Sequence, residues 1–145
     1  MRLLLDVMYG LLCWMRLTPP FSLAEPYRPA RDKNCNMALT ENGVLQVLNL
    51  PGYSSYGPVG FEAVRAQLDQ LCQDTDHKFW PCNMTLRDNS KIDWSRVMGH
   101  NQITDVYLLA LAVAHGGALA TLDHRVALNA VRCAQGKHLQ LLQPI

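Results

Sequence analysis

The sequence lacks a strong excess of charge of either sign, and it lacks an apolar run long enough to cross a membrane. Its formal net charge is +1 at pH 7, so no basic field over the whole surface indicates a nucleic-acid-binding protein. The apolar run after Arg2 is interrupted by Asp6, and no run in the chain reaches the roughly 18 residues of a membrane span. We therefore expect no membrane association, and any anion-binding surface must be local or formed by a dimer.

Metal-binding cysteine spacings and common catalytic loops are also absent. The five cysteines show neither CxxC nor zinc-finger spacing, so we expect buried, reduced thiols and a cytoplasmic location rather than a zinc site. The chain has no glycine-rich phosphate loop and no GxSxG motif. These absences make a small-molecule α/β enzyme, such as a phosphatase, a weak alternative.

Apolar segments follow one another in a pattern typical of an α/β protein. A length of 145 residues, with 49% hydrophobic and 17% charged residues, suits a single domain over 1–145 with a sizeable core. Strands that alternate with helices predict a mostly parallel sheet. The predicted strands are 2–7, 79–82, 118–122 and 139–142, and the predicted helices are 43–50, 61–72, 94–98, 105–115 and 126–134.

The segment 103–123 is the most informative part of the sequence. Thr104 is suited to cap a helix, and Asp105 falls in the first turn, where a negative charge suits the helix dipole. Gly116 is suited to end that helix. The short apolar run that follows predicts a buried parallel strand with Asp123 at its C-terminal end. Because open α/β sheets bind ligands outside the carboxyl ends of their strands, both aspartates are candidate functional residues.

Four acidic residues occupy positions that are suited to hold a cation. Asp6 and Asp123 each end an apolar strand. Asp105 opens one apolar helix, and Glu41 lies near the start of another. Carboxylates gathered at one end of a sheet repel one another, and Mg²⁺ or Mn²⁺, which prefer carboxylate and water oxygens, would relieve that repulsion. Each residue alone also fits an ordinary cap or turn, so spacing leaves a metal site and a structural role both open.

Several other side chains fit either a functional or an ordinary role. Arg125, two residues after Asp123, fits a contact to a substrate phosphate as well as a solvated loop charge. Trp80 and Trp94 fit stacking on a nucleic-acid base as well as packing in the core or at a dimer interface. The five histidines lack metal spacing and are expected at the surface or in loops.

The same segments resemble a known protein family. The C-terminal signature of PIN-domain ribonucleases, and more narrowly of VapC-type toxins of bacterial toxin–antitoxin modules, is similar to residues 104–112 (TDVYLLALA) followed by 121–123 (TLD). The match extends over residues 1–7 and 38–142. Its other motifs are the opening strand 2–7 (RLLLDV), the glutamate motif 39–43 (LTENG), and the segments 48–51 (LNLP) and 79–81 (FWP).

That resemblance implies a three-layer α/β/α fold with a mostly parallel central sheet, and a Mg²⁺- or Mn²⁺-dependent endoribonuclease. The acidic cluster would hold the metal, which would activate a water for in-line attack on an RNA phosphodiester. Thr121 would support the cluster by hydrogen bonding. The resemblance also implies a homodimer and a cognate antitoxin protein that packs across the active-site groove. The implied cluster consists of Asp6, Glu41, Asp105 and Asp123.

Residues 8–37 depart from the family pattern. Met8 stands where the family has an asparagine, and four prolines between Pro19 and Pro29 oppose the long helix that the family has there. Codons for 8–18 that are shifted by one base can encode a peptide typical of a VapC toxin. We therefore hypothesise that 8–37 are out of frame, with the frame restored near Met37, which resequencing would test. The alternative function is an inactive or degenerate remnant that at most binds an antitoxin.

Overall fold

The computed structural model describes residues 1–6, 34–52 and 57–142. These residues contain five strands, which are β1 (Leu3–Leu5), β2 (Asn34–Asn36), β3 (Lys78–Phe79), β4 (Ala118–Thr121) and β5 (Leu139–Leu141). The strands form one sheet in the order β3-β2-β1-β4-β5, and every neighbouring pair is parallel. The predicted α/β fold with a mostly parallel sheet is confirmed.

Three α-helices accompany the sheet in the described part of the chain. They are α1 (Ala38–Leu48), α2 (Phe61–Asp74) and α3 (Ile103–Ala114). Four short 3-10 helices complete the regular structure, and they are Trp94–Arg96, His100–Gln102, Leu128–Ala130 and Gly136–His138.

Helices cover both faces of the sheet. Successive side chains of a strand point to opposite faces, and both faces of the central strands β1 and β4 are covered. Leu4 and Leu119 belong to the core cluster that contains α3, whereas Leu5 and Ala120 pack with Leu71 of α2. This arrangement is the three-layer α/β/α architecture that the family resemblance implies.

Helix α3 is buried along its middle. Residues 106–112 are all buried, because one side of the helix packs on the sheet while Ile92, Ala130 and Val131 belong to the same core cluster. The helix ends where Gly116 adopts a φ of 66°, a left-handed conformation that suits glycine and that the sequence predicts at this position.

None of the helices that the structure describes is both long enough and apolar enough to cross a membrane.

The predicted helix over 126–134 is wrong. This segment forms only the 3-10 helix Leu128–Ala130, because its backbone bonds a neighbouring loop instead of itself. The N–H of Asp93 donates to the carbonyl of Ala130 at 2.8 Å, and the N–H of Arg132 donates to the carbonyl of Lys91 at 2.9 Å. These tertiary hydrogen bonds replace the i to i−4 bonds that a helix would need.

Two further details of the predicted elements differ. The sequence places the helix cap at Thr104, but the 3-10 turn before α3 moves the cap to Gln102 and leaves Thr104 exposed within the first turn. Strand β2 is not predicted at all, because Asn34–Asn36 has no apolar alternation and follows the proline-rich segment. Of the residues in the frame hypothesis, 8–33 lie outside the described part of the chain.

The expected solvent exposure is also wrong for two residue types. His138 is buried, and its Nδ1 accepts a hydrogen bond from the N–H of Gln135 at 3.0 Å. Cys82 and Cys133 are exposed rather than buried, although both are free thiols as expected. Trp80 is buried against the core, in line with its ordinary role.

Candidate active site

The carboxyl ends of β1 and β4 bring Asp6 and Asp123 to the same edge of the sheet. These strands are parallel neighbours, with Leu5 opposite Ala120. Asp6 follows β1 directly, and its N–H donates to the carbonyl of Ala120 at 3.1 Å. Its side chain is only 6% exposed. A buried carboxylate needs hydrogen-bond donors or positive charge around it. We therefore expect polar partners for Asp6 at this edge of the sheet.

Thr121 supplies the hydrogen bond that holds Asp6. Its Oγ1 donates to Oδ2 of Asp6 at 2.8 Å and accepts from the N–H of Asp123 at 3.1 Å. The Thr121 side chain is fully buried. One hydroxyl therefore fixes the first carboxylate and the backbone that carries the second, which is the contact that a supporting residue would make.

Asp105 adds a third carboxylate to this edge. It lies in the first turn of α3 and is partly buried. Burial, followed by the negative charges of Asp6 and Asp123, raises the pKa of Asp105 to about 6, and the positive charge of Arg125 opposes this shift. The three aspartates are therefore close enough to interact electrostatically, although 117 residues separate the first from the last.

Glu41 lies near Asp6, in the first turn of α1. The cap of α1 positions it: Thr40 Oγ1 donates to the carbonyl of Met37 at 2.9 Å, and the N–H of Glu41 donates to the same carbonyl at 3.0 Å. Glu41 and Asp6 both line a small cavity of about 20 Å³ whose other walls are mainly apolar side chains of α1 and α2. Asp6 is thus the residue that both parts of the cluster share.

Arg125 forms an ion pair with Asp123. Its Nε and Nη2 donate to Oδ1 and Oδ2 of Asp123, each at 3.0 Å, and its backbone N–H donates to Oδ1 at 2.8 Å. These hydrogen bonds hold the pKa of Asp123 below its ordinary value. The structure therefore places the permanent positive charge of Arg125 in contact with Asp123, one of the four predicted metal ligands.

Known proteins relate this chain to a family of nucleases. No protein-family model matches the chain. It is 42% identical over 108 residues to ribonuclease VapC44 of Mycobacterium tuberculosis strain H37Rv, a match that covers 72% of each protein. The chain belongs to the VapC ribonuclease family. This result confirms the family resemblance found in the sequence.

Two other VapC proteins of the same strain match shorter parts of the chain. Ribonuclease VapC39 is 39% identical over 62 residues, which cover 43% of this chain and 45% of the relative. Ribonuclease VapC29 is 43% identical over 51 residues, which cover 35% of this chain and 36% of the relative.

The acidic cluster of this VapC chain fits a hard cation in its chemistry but does not enclose one. All four residues offer oxygen donors, and added positive charge would relieve the repulsion at Asp105. Within 1–6, 34–52 and 57–142, however, no three His, Cys, Asp or Glu side chains form a group that could hold a metal ion. Arg125 supplies a positive charge to this cluster through its ion pair with Asp123.

Gln102 is a residue of this site that the sequence does not predict. Its Nε2 donates to the carbonyl of Arg125 at 3.1 Å, and its Oε1 accepts from the N–H of Met98 at 2.9 Å. One amide thereby links the start of α3, which carries Asp105, to the loop that carries Asp123. No local pattern signals this link, because it depends on how two distant loops meet.

A groove lies around the 3-10 helix Leu128–Ala130. Its volume is about 670 Å³, and its lining includes Val126, the residue that follows Arg125 in the chain. Arg96 and Arg132 contribute positive charge to the groove, and Asp93 contributes one negative charge. A salt bridge of 3.2 Å joins Arg96 to Asp93. The groove therefore carries two arginines and one aspartate, and none of the four predicted metal ligands is part of its lining.

Proposed function

We propose that this VapC chain is an endoribonuclease that cleaves RNA phosphodiesters with the help of Mg²⁺ or Mn²⁺. The ligands would be Asp6, Glu41, Asp105 and Asp123. The observation that carries the proposal is the meeting of Asp6, Asp105 and Asp123 at the carboxyl ends of β1 and β4, where burial and the two neighbouring carboxylates raise the pKa of Asp105 to about 6. A surface that concentrates negative charge in this way is suited to bind a divalent cation. The names of the curated relatives support RNA as the substrate.

Each residue of the cluster would have a distinct task. A bound divalent ion supplies a low-pKa water and neutralises negative charge on phosphate oxygens. Asp6 would act as the central ligand because it is shared by both parts of the cluster. Thr121 would keep the Asp6 carboxylate in one orientation, and Asp105 would remain ionised at neutral pH once positive charge is close. Glu41 would complete the cluster from the α1 side.

The groove lined by Arg96 and Arg132 would hold the RNA on one side of the cleaved bond. Arg96 and Arg132 are suited to contact phosphates, because guanidinium groups bind phosphate oxygens in pairs. Arg132 is exposed, and its Nε is held by the carbonyl of Asn89 at 2.9 Å. This contact would fix the arginine in place before RNA binds.

We further propose that the chain is the toxin of a type II toxin–antitoxin pair, that it forms a homodimer, and that a cognate antitoxin protein binds it. Family membership supports all three statements. Large apolar side chains remain exposed for such contacts, including Met98 at 87% and Phe61 at 68%. Burial of apolar surface of this kind is a common driving force for protein association.

A cleavage assay on total RNA tests the proposed activity. We expect the purified chain to cut RNA in Mn²⁺ or Mg²⁺ and to lose this activity in excess EDTA. The control is the Arg87→Gln variant, which alters an exposed charge in the loop after β3. Cleavage that continues unchanged in EDTA would contradict the metal-dependent mechanism. Absence of cleavage together with antitoxin binding would support the inactive remnant instead.

A further inference from the structure

Hydrogen bonds from Arg125 occupy most of the acceptor positions of the Asp123 carboxylate. A carboxylate offers about four lone-pair positions for hydrogen bonds, and Arg125 alone fills three of them. The Arg125 guanidinium also attracts Asp105. Because arginine keeps its charge at every working pH, a divalent cation must compete with this group for Asp123.

The side chain of Arg125 can leave Asp123 without moving the loop. Its backbone is held independently, since its carbonyl accepts the hydrogen bond from Gln102 and its N–H donates to Asp123. The Arg125 side chain is 80% exposed, whereas that of Asp123 is 28% exposed. Ion pairs with so much solvent exposure are weak, so exchange for another anion costs little.

RNA would supply such an anion at the right place. Val126 directly follows Arg125 and lines the groove that also contains Arg96 and Arg132. Arg125 therefore lies in the chain between Asp123 and the lining of the groove, so RNA bound in the groove would bring phosphates close to it. Guanidinium groups form paired hydrogen bonds with phosphate as readily as with carboxylate.

We infer that Arg125 is an exchangeable counter-ion of the active site, which neutralises Asp123 in the free protein and moves to an RNA phosphate when substrate binds. This inference rests on the proposed function. The exchange would remove the two side-chain hydrogen bonds, one from each oxygen of Asp123, and leave the backbone N–H of Arg125 on Oδ1. A metal could then reach Asp123, so RNA and metal would each strengthen the binding of the other. Arg125 is in this view a positioning residue for the metal and a contact residue for the substrate.

Titration of Mn²⁺ into the full chain without RNA tests the inference. Free Mn²⁺ is measured by electron paramagnetic resonance for wild type, Arg125→Gln and Arg125→Lys. We expect Arg125→Gln to bind Mn²⁺ at least threefold more tightly than wild type, because the competing cation is gone. Arg125→Lys keeps the charge but loses the paired contact, so its affinity should lie between the two. Circular dichroism shows whether each variant folds. If Arg125→Gln does not fold, the comparison of Arg125→Lys with wild type tests the inference.

A second measurement tests the exchange with a phosphate mimic. Sodium sulfate, added at constant ionic strength, should tighten Mn²⁺ binding to wild type relative to Arg125→Gln. Both proteins are measured at the same sulfate concentration, so that direct pairing of sulfate with Mn²⁺ affects them equally. The control is Arg87→Gln, which removes the same charge from a different loop and should behave as wild type does.

The outcomes separate this inference from the proposed function. If wild type binds Mn²⁺ and cleaves RNA, but Arg125→Gln binds Mn²⁺ no more tightly, the counter-ion role is overturned and the ribonuclease proposal stands. Weaker binding by Arg125→Gln would likewise overturn it, because Arg125 would then assist the metal rather than compete. If no protein binds Mn²⁺, both proposals fail together.

Discussion

Thr121 donates a hydrogen bond of 2.8 Å to Asp6 across a sequence separation of 115 residues. Because the two residues end neighbouring parallel strands, this bond joins the start of the described chain to its C-terminal part at the acidic cluster. Thr121 is fully buried and Asp6 nearly so. A hydrogen bond to a buried charged group is stronger than one at the surface, so the contact contributes to stability as well as to the site.

Replacing Thr121 by Val should therefore destabilise the fold. Valine keeps the shape of the side chain but removes the hydroxyl that donates to the buried Asp6 carboxylate, which costs about 1–3 kcal/mol. We expect a melting temperature several degrees lower, measured by circular dichroism at pH 7. Thr121→Ser keeps the hydroxyl and should lose less. Equal melting temperatures for Thr121→Val and wild type would show that the bond carries no net stability.

Replacing Asp105 by Asn should stabilise the protein at neutral pH in EDTA. The folded-state pKa of Asp105 is about 6, above its ordinary value of 3.8, so the folded state binds the proton more tightly than the unfolded state. Its contribution to stability is full below pH 4 and is lost as pH rises through 6. Since the side chain is only partly buried, the gain in Asp105→Asn is about 1 kcal/mol.

The measurement is the melting temperature of both proteins between pH 4 and 7.5. The advantage of Asp105→Asn over wild type should grow across this range and be smallest near pH 4. Added Mn²⁺ should reduce it, because the ion stabilises only the ionised cluster. An advantage that does not change with pH would contradict the electrostatic origin of the raised pKa.

Gly117 should tolerate no side chain. A Cβ built there would lie 2.5 Å from Cη2 of Trp80 and 2.7 Å from the carbonyl oxygen of Arg2. Trp80 is buried and stacks on His115 with a ring separation of 4.6 Å, so relief of this clash disturbs the core. We expect Gly117→Ala to lower the free energy of unfolding by about 1–3 kcal/mol.

The matched control for this prediction is Gly136→Ala. A Cβ at Gly136 meets nothing within 4 Å, and surface substitutions of this kind change stability by roughly half a kcal/mol or less. Urea denaturation of both variants measures the difference. Similar losses in the two proteins would argue against close packing of Gly117.

Replacing Arg132 by Ala should weaken RNA binding more than it slows the chemical step. Arg132 lines the groove and is not one of the carboxylates. Loss of one phosphate contact should raise KM several-fold and reduce the slope of log affinity against log salt by about 0.7 for single-stranded RNA. Steady-state cleavage at several salt concentrations measures both quantities. Arg87→Ala is the control, and an equal effect there would exclude a specific role for the groove.

The sequence was sufficient to predict the edge of the sheet where the aspartates meet. Asp6 and Asp123 follow short apolar runs, and the carboxyl ends of parallel strands meet at one edge. The side-chain contacts at that edge could not be predicted from the sequence. Arg125 could equally have been a solvated loop charge, and the role of Gln102 depends on two loops that meet only in the folded chain.

Secondary structure was predictable where local pattern and tertiary structure agree. Helix α2 follows its apolar periodicity and extends to Asp74. The segment 126–134 has helical spacing but pairs with the loop around Asp93, so its tertiary hydrogen bonds override the local preference. Strand β2 depends on pairing with β1 and β3 rather than on its own residues, and short polar segments of this kind give no local signal.

The most direct test of the central claim compares RNA cleavage by wild type and Asp105→Asn at saturating Mn²⁺. Asp105 lies beside Asp6 and Asp123, and its neutralisation removes one charge from the proposed metal site while improving stability. We predict that kcat/KM falls by about 10³-fold, equivalent to roughly 4 kcal/mol of transition-state stabilisation, although the variant remains folded. A folded Asp105→Asn variant that cleaves RNA at the wild-type rate would contradict the proposal that this carboxylate cluster is the catalytic centre.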